Sequence, residues 1–148
     1  LSTNVTAVGN VGVGEDDLMT YSVPAATLNT NLDRLVFRAS GTIASSINAK
    51  RLKAKFGATT IFDTGAAGIP ISAAIDWVMP GEIIREGAPA QICNVALFTN
   101  NATLATYADS ASAAETLSGA VTLKMTGEAV SDNDIVQETM CVNWESAP

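Results

Sequence analysis

Histidine is absent from all 148 residues. Its absence removes the commonest general base, the Ser-His-Asp and Cys-His nucleophile arrangements and most zinc sites. Any catalysis would have to rest on carboxylates. Charged residues are only 16% of the chain and aromatic residues 5%. With 47% apolar residues, the low charge excludes a disordered chain and leaves apolar side chains to cover part of the surface. A long apolar run is also missing: the longest, at 66–79, is broken by Pro70 and Asp76 and falls short of the ~20 residues a membrane helix needs. Residues 1–6 lack the basic start and apolar block of a secretory leader, so a membrane association is not expected.

The two cysteines fall in different phases. Cys93 shares its alternation with Val95 and Leu97, whereas Cys141 is out of phase with Met140, Val142 and Trp144. The thiols are therefore expected on different sides of their strands and unbridged, which suits a reducing compartment. Net charge is -7, so a sequence-independent grip on nucleic acid is not expected.

What the chain does contain is alternation of period two, the mark of strands with one buried and one exposed face. Over 34–43, Leu35, Phe37, Ala39 and Ile43 share one face, with Arg34, Arg38, Ser40 and Thr42 on the other. Over 50–56, Leu52, Ala54 and Phe56 oppose Arg51, Lys53 and Lys55. The inward sets further on are Ile71, Ala73, Ile75, Trp77 and Met79, then Val121, Leu123 and Met125, then Val136, Met140, Val142 and Trp144. Further strands are expected at 17–23, 59–63, 91–98 and 103–107, separated by turn-rich pieces. Roughly eight or nine short strands without intervening helices predict an all-β, antiparallel sandwich of jelly-roll type. It forms a single domain over 1–148, with a short extended N-terminal arm over about 1–14. Ser112-Ala113-Ala114-Glu115 has capping-box spacing, but it is read as a loop before Gly119.

Ile61-Phe62-Asp63-Thr64-Gly65-Ala66 resembles the active-site turn of retroviral-type aspartic proteases, which pair two such aspartates from two chains. The later apolar-apolar-Gly-Arg segment of that family is not matched, since Ile83-Ile84-Arg85-Glu86-Gly87 lacks the glycine in place. The preferred reading is a turn in which Asp63 bonds local backbone and Gly65 supplies a positive φ. The glycines of Gly9-Asn10-Val11-Gly12-Val13-Gly14 have the wrong order for a phosphate loop, and Glu15-Asp16-Asp17 follows. Together with Asp132-Asn133-Asp134, these acids could hold calcium only if the fold brought them together, and neither group has calcium-loop spacing. No metal or cofactor is expected. Asn4-Val5-Thr6 and Asn101-Ala102-Thr103 match the glycosylation pattern by chance. Trp77 and Trp144 are read as core anchors.

Arg51, Lys53 and Lys55 form a basic stripe, which Arg34 and Arg38 extend if the two strands pair as a hairpin across 44–49. Such a stripe is ordinarily a solvated face, with an acidic partner surface as the functional alternative.

Several segments resemble the small β-sandwich virion proteins of tailed bacteriophages. They are Gly14-Glu15-Asp16-Asp17-Leu18-Met19-Thr20-Tyr21-Ser22-Val23-Pro24-Ala25, Asn48-Ala49-Lys50-Arg51-Leu52-Lys53-Ala54-Lys55-Phe56-Gly57, Phe62-Asp63-Thr64-Gly65, Glu115-Thr116-Leu117-Ser118-Gly119 and Asp134-Ile135-Val136-Gln137-Glu138. The resemblance implies a non-enzymatic virion component, assembled in the host cytoplasm. It would be a head cement or decoration protein bound to the major capsid protein, commonly as a homotrimer. A tail or fibre domain binding a host glycan is the alternative, and a dimeric aspartic protease using Asp63 a third. The resemblance assigns no catalytic, cofactor or metal residues.

Overall fold

A computed structural model describes residues 1–66, 68, 69, 73–101 and 107–147. Among these there is no helix, and two antiparallel sheets face each other. The described residues form eleven strands: β1 (Ser2–Asn4), β2 (Val8–Gly9), β3 (Gly14–Val23), β4 (Arg34–Ile43), β5 (Arg51–Phe56), β6 (Thr59–Asp63), β7 (Ile75–Gly87), β8 (Ala90–Thr99), β9 (Tyr107–Ala113), β10 (Val121–Ala129) and β11 (Ile135–Glu145). A seven-stranded sheet has the order β1-β11-β4-β7-β8-β9 with β2 also on β11, and a four-stranded sheet has the order β3-β10-β5-β6. The all-β sandwich is as expected, with more strands than the alternation revealed.

The two extra strands come from the expected N-terminal arm. Ser2 pairs with Val142 and Val8 with Gln137, so β1 and β2 occupy the outer edge of the long strand β11. An unpaired edge of that length would leave a row of open backbone donors and acceptors, and the arm satisfies them. Of the strand expected at 103–107, residues 103–106 lie outside the described set, as does Ile71; Tyr107 opens β9 and Ala73 is exposed rather than inward.

Alternation places the core as it should where strands are regular. Leu35, Phe37 and Ala39 of β4, Trp77, Met79 and Ile83 of β7 and Cys93, Val95 and Leu97 of β8 are all buried against Leu52, Ala54 and Phe56 of β5 and Leu123 and Met125 of β10. Gly81 stands opposite Phe37 in the β4–β7 ladder, where a Cβ would come within 2.3 Å of the ring. The missing side chain is the space the phenyl ring fills.

Alternation fails at bulges. The register of β11 on β4 slips between Gln137 and Thr139, so Ile135 and Gln137 point inward before it and Met140 and Val142 after it. Val136, expected inward, is turned out. The buried Gln137 amide is not orphaned: its Oε1 accepts from the Met19 amide at 3.0 Å across the sandwich, and its Nε2 donates to the Thr139 carbonyl at 3.1 Å. Met19 lies in β3, where Leu18 and Met19 are buried in succession and the ladder to β10 slips as well. One side chain thus ties two bulges together. Trp144 keeps the inward phase, opposite Leu35, but lies near the end of β11 and is 47% exposed; it is not the core anchor expected.

Candidate functional site

The basic stripe folds as an alternating charged face on β5, but its cations are already engaged. Arg51 grips Asp63 through two bonds, Nε to Oδ1 at 2.7 Å and Nη2 to Oδ2 at 2.5 Å, and reaches Glu128 at 3.6 Å. Lys53 lies between Glu15 at 2.5 Å and Glu128 at 3.4 Å, and Lys55 meets the other oxygen of Glu15. Lys124 of β10 pairs with Asp17 of β3 at 2.7 Å. The outer face of the four-stranded sheet is therefore a lattice of mutually neutralised charges.

Arg34 and Arg38 do not extend it. β4 and β5 are in different sheets: residues 44–50 carry the chain from one layer to the other, and β4 pairs with β11 and β7 instead. Each strand has its own apolar face to bury, so the two face each other across the core and their basic sides look in opposite directions. Arg34 is held by Glu145 at 2.5 Å. Arg38, exposed on the outer face of the seven-stranded sheet, is the one basic side chain with no hydrogen bond or ion pair among the described residues.

Around Arg38 that outer face is nearly neutral. Small residues line up across three strands: Pro80 of β7, Ala96 of β8 and Ala108 of β9. With Val36, Glu82 and Asn94 they border an open depression of 650 Å³. Phe98, 49% exposed, pairs with Val78 farther along the same ladder. Sequence reading missed this surface because each residue in it is unremarkable alone; only the register brings the small ones into a row.

Asp63 is bonded at both of its oxygens. Besides Arg51, its Oδ1 accepts from the Gly65 amide at 2.8 Å, and Gly65 has φ of 88°, so the turn forms as expected. Arg51, followed by the Gly65 amide, outweighs burial and holds the Asp63 carboxyl below its ordinary range.

The two acidic segments do meet, around the glycine-rich loop. Asp16 accepts from the Val11 amide at 2.9 Å and Asp132 from the Gly12 amide at 2.6 Å. Asp134 takes the Ser131 amide at 3.2 Å and the side chains of Ser46 and Asn48, each at 3.3 Å. Their oxygens are spent on loops, and among the described residues no group of three or more metal-ligating side chains is placed to hold an ion. The thiols are free, Cys93 buried and Cys141 half-buried; burial pushes the Cys93 thiol up to about 12. Glu115, the last residue of the capping-box pattern, caps a turn rather than a helix: it accepts from the Ala58 and Thr59 amides at 2.9 and 3.2 Å.

Lys50 is the residue sequence reading passed over. It shares the phase of Leu52, Ala54 and Phe56 and is fully buried, with Nζ donating to the Ser46 and Asn48 carbonyls at 2.9 Å each. Burial lowers the pKa of its ammonium, and Asp134 partly restores it.

Comparison with known proteins finds no matching family model, curated protein or solved structure.

The ion lattice sets an acid limit. Burial would raise the Glu15 carboxyl, but hydrogen bonds from Lys53, Lys55 and Thr126 outweigh it and hold the group at about 2. A carboxyl depressed in the folded state stabilises fully above its unfolded value, about 4.3, and the contribution is lost as pH falls toward the folded value. The melting temperature is therefore expected to drop between about pH 4.5 and 2. Glu15→Gln should melt lower than wild type at pH 7, with the gap closing toward pH 2; a gap constant across that range would show that Glu15 is not the group responsible.

Proposed function

We propose that this chain is a non-enzymatic structural protein of a tailed-phage virion, a cement or decoration protein that binds the assembled head and stabilises it. Its partner is the major capsid protein, it acts as a homotrimer, and its place is the virion, assembled in the host cytoplasm. The observation that carries this reading is how the charges are used. Seven of the eight basic residues are bonded within the domain, while the outer face of the seven-stranded sheet presents small and apolar residues around the unpaired Arg38. Surface of this kind suits burial against another protein. The reading also draws on the resemblance of the strand-and-turn segments to phage virion proteins.

A cement protein works by linkage: it binds the shell and not the dissociated subunits, so each bound copy shifts the equilibrium toward the shell. Many copies on one particle add avidity that a single contact lacks. The test is to mix the protein with undecorated, expanded heads and pellet them. Saturable co-sedimentation at a fixed copy number, with a raised melting temperature of the heads, is expected. Absence of binding by a folded protein would favour the tail or fibre reading instead.

A further inference from the structure

One end of the sandwich carries a second, differently built surface. Three segments meet there: 10–13 before β3, 44–50 between β4 and β5, and 130–134 between β10 and β11. The large aliphatic side chains on them point outward: Val11 69%, Val13 83%, Val130 50% and Ile47 101% exposed. Gly14 pairs with Ala129, so Val13 and Val130 continue side by side past the end of that ladder, and Ala49 and Ala66 share a hollow with them. A chain this small gains nothing for its own fold from an isoleucine held wholly in water.

The loops bearing these side chains are laced together. Asn10 is fully buried and spends both ends of its amide, Nδ2 to the Ser131 carbonyl at 2.9 Å and Oδ1 from the Ile135 amide at 2.9 Å. Its backbone bonds Ile135 and Asn133 as well. The Lys50 ammonium, buried beneath the 44–50 loop, holds the carbonyls of Ser46 and Asn48, the two residues flanking Ile47. A buried cation is thus used to fix the loop whose tip is the most exposed large aliphatic side chain among the described residues. Loops whose backbone is held before binding lose little freedom on docking.

The charge at this end narrows the occupant. Asp16 and Asp132 accept from the backbone amides of Val11 and Gly12 in the glycine-rich loop, and among the described residues neither forms an ion pair. A second copy docked pole to pole would bring the same carboxylates against these, and an anionic bilayer would be repelled likewise. We infer that this pole is the docking tip of the domain, seating Ile47, Val13 and their neighbours in an apolar socket of a different protein whose rim carries lysine or arginine. Under the proposed function, on which the inference rests, that protein is the capsid subunit as displayed on the assembled shell.

The test compares wild type with Ile47→Ser/Val13→Ser and with Arg38→Glu, measuring binding to undecorated heads at two salt concentrations. Both pole positions are exposed, so the double variant should melt like wild type while its Kd for heads rises at least tenfold. Wild-type binding should also weaken at higher salt, and Arg38→Glu should not reproduce the loss in full. Equal binding by wild type and the double variant would overturn the inference and leave the cement reading standing. No binding by either would sink both. Flotation of wild type but not the double variant with phosphatidylcholine vesicles would overturn it in favour of a bilayer. A Lys50→Met variant that folds but binds like the double variant would place Lys50 as a positioning residue for Ile47.

Discussion

Gly41→Ala is expected to destabilise the protein by about 3 kcal/mol or more, at the upper end of what overpacking costs. Gly41 is buried in β4, between Trp77 of β7 and Gln137 of β11. The slip in β11 brings that strand's backbone beneath it: a Cβ there would lie 1.9 Å from the Val136 carbonyl oxygen and 2.9 Å from the Gln137 Cα. No rotamer change relieves a clash with backbone, so the central ladder itself must shift, and Gln137 with it. The bond from Gln137 to the Met19 amide, which joins the two sheets, would go too. For a domain of this size the melting temperature should fall by roughly 10 °C. Gly87→Ala is the control, since nothing lies within 4 Å of a Cβ at that position; it should stay within about 0.5 kcal/mol of wild type. Equal melting of Gly41→Ala and Gly87→Ala would show that the bulge does not constrain the sheet as described.

Asp33→Ala is expected to cost a comparable amount, about 3 kcal/mol, by a different route. The Asp33 carboxylate is buried and accepts three backbone amides, Asn29 at 2.9 Å, Thr30 at 2.7 Å and Ala147 at 2.9 Å. The amides of Ala147 and Thr30, outweighing burial and followed by Asn29 and the charge of Arg85, hold the carboxyl below its ordinary range. Alanine would leave three donors without their partner, and each unsatisfied buried donor costs about 1–3 kcal/mol unless water reaches it. It would also release residue 147 from the loop before β4, so the Ala147 amide should lose its protection from hydrogen exchange. Sign follows from the depressed value: the contribution is present above about pH 3.9, the unfolded value, and fades as pH falls through the folded one. Unchanged melting at pH 7 together with retained protection at Ala147 would refute this role.

The fold class was legible because β4, β5, β7 and β8 keep their large apolar side chains in one phase through the core, although Lys53 of β5 is buried as well. What misled the pattern were insertions of a single residue. At the β11 slip, parity assigned Val136 to the core when Gln137 holds that place, and in β3 the consecutive Leu18 and Met19 break parity outright. Trp144 kept its phase yet overran the core, because parity gives a face and not the extent of the opposing sheet. The supposed hairpin of β4 and β5 failed for a related reason: two amphipathic strands joined by seven residues can share a sheet or face each other, and only their partners decide. Of the site, the Asp63–Gly65 turn was readable from its own residues, whereas its grip on Arg51 depends on the β5–β6 register. Lys50 was readable in principle, since it falls in step with Leu52, Ala54 and Phe56; the general exposure of lysine hid it. Val13, Ile47 and Val130 lie far apart in sequence, and nothing short of the three loops meeting at one end could have joined them.

The cement role is decided by a binding isotherm from co-sedimentation, run in parallel on expanded undecorated heads and on dissociated capsid subunits. Saturation at a fixed number of copies per head is expected, with no comparable binding to free subunits. Folded protein that binds neither, or binds both equally, would contradict it.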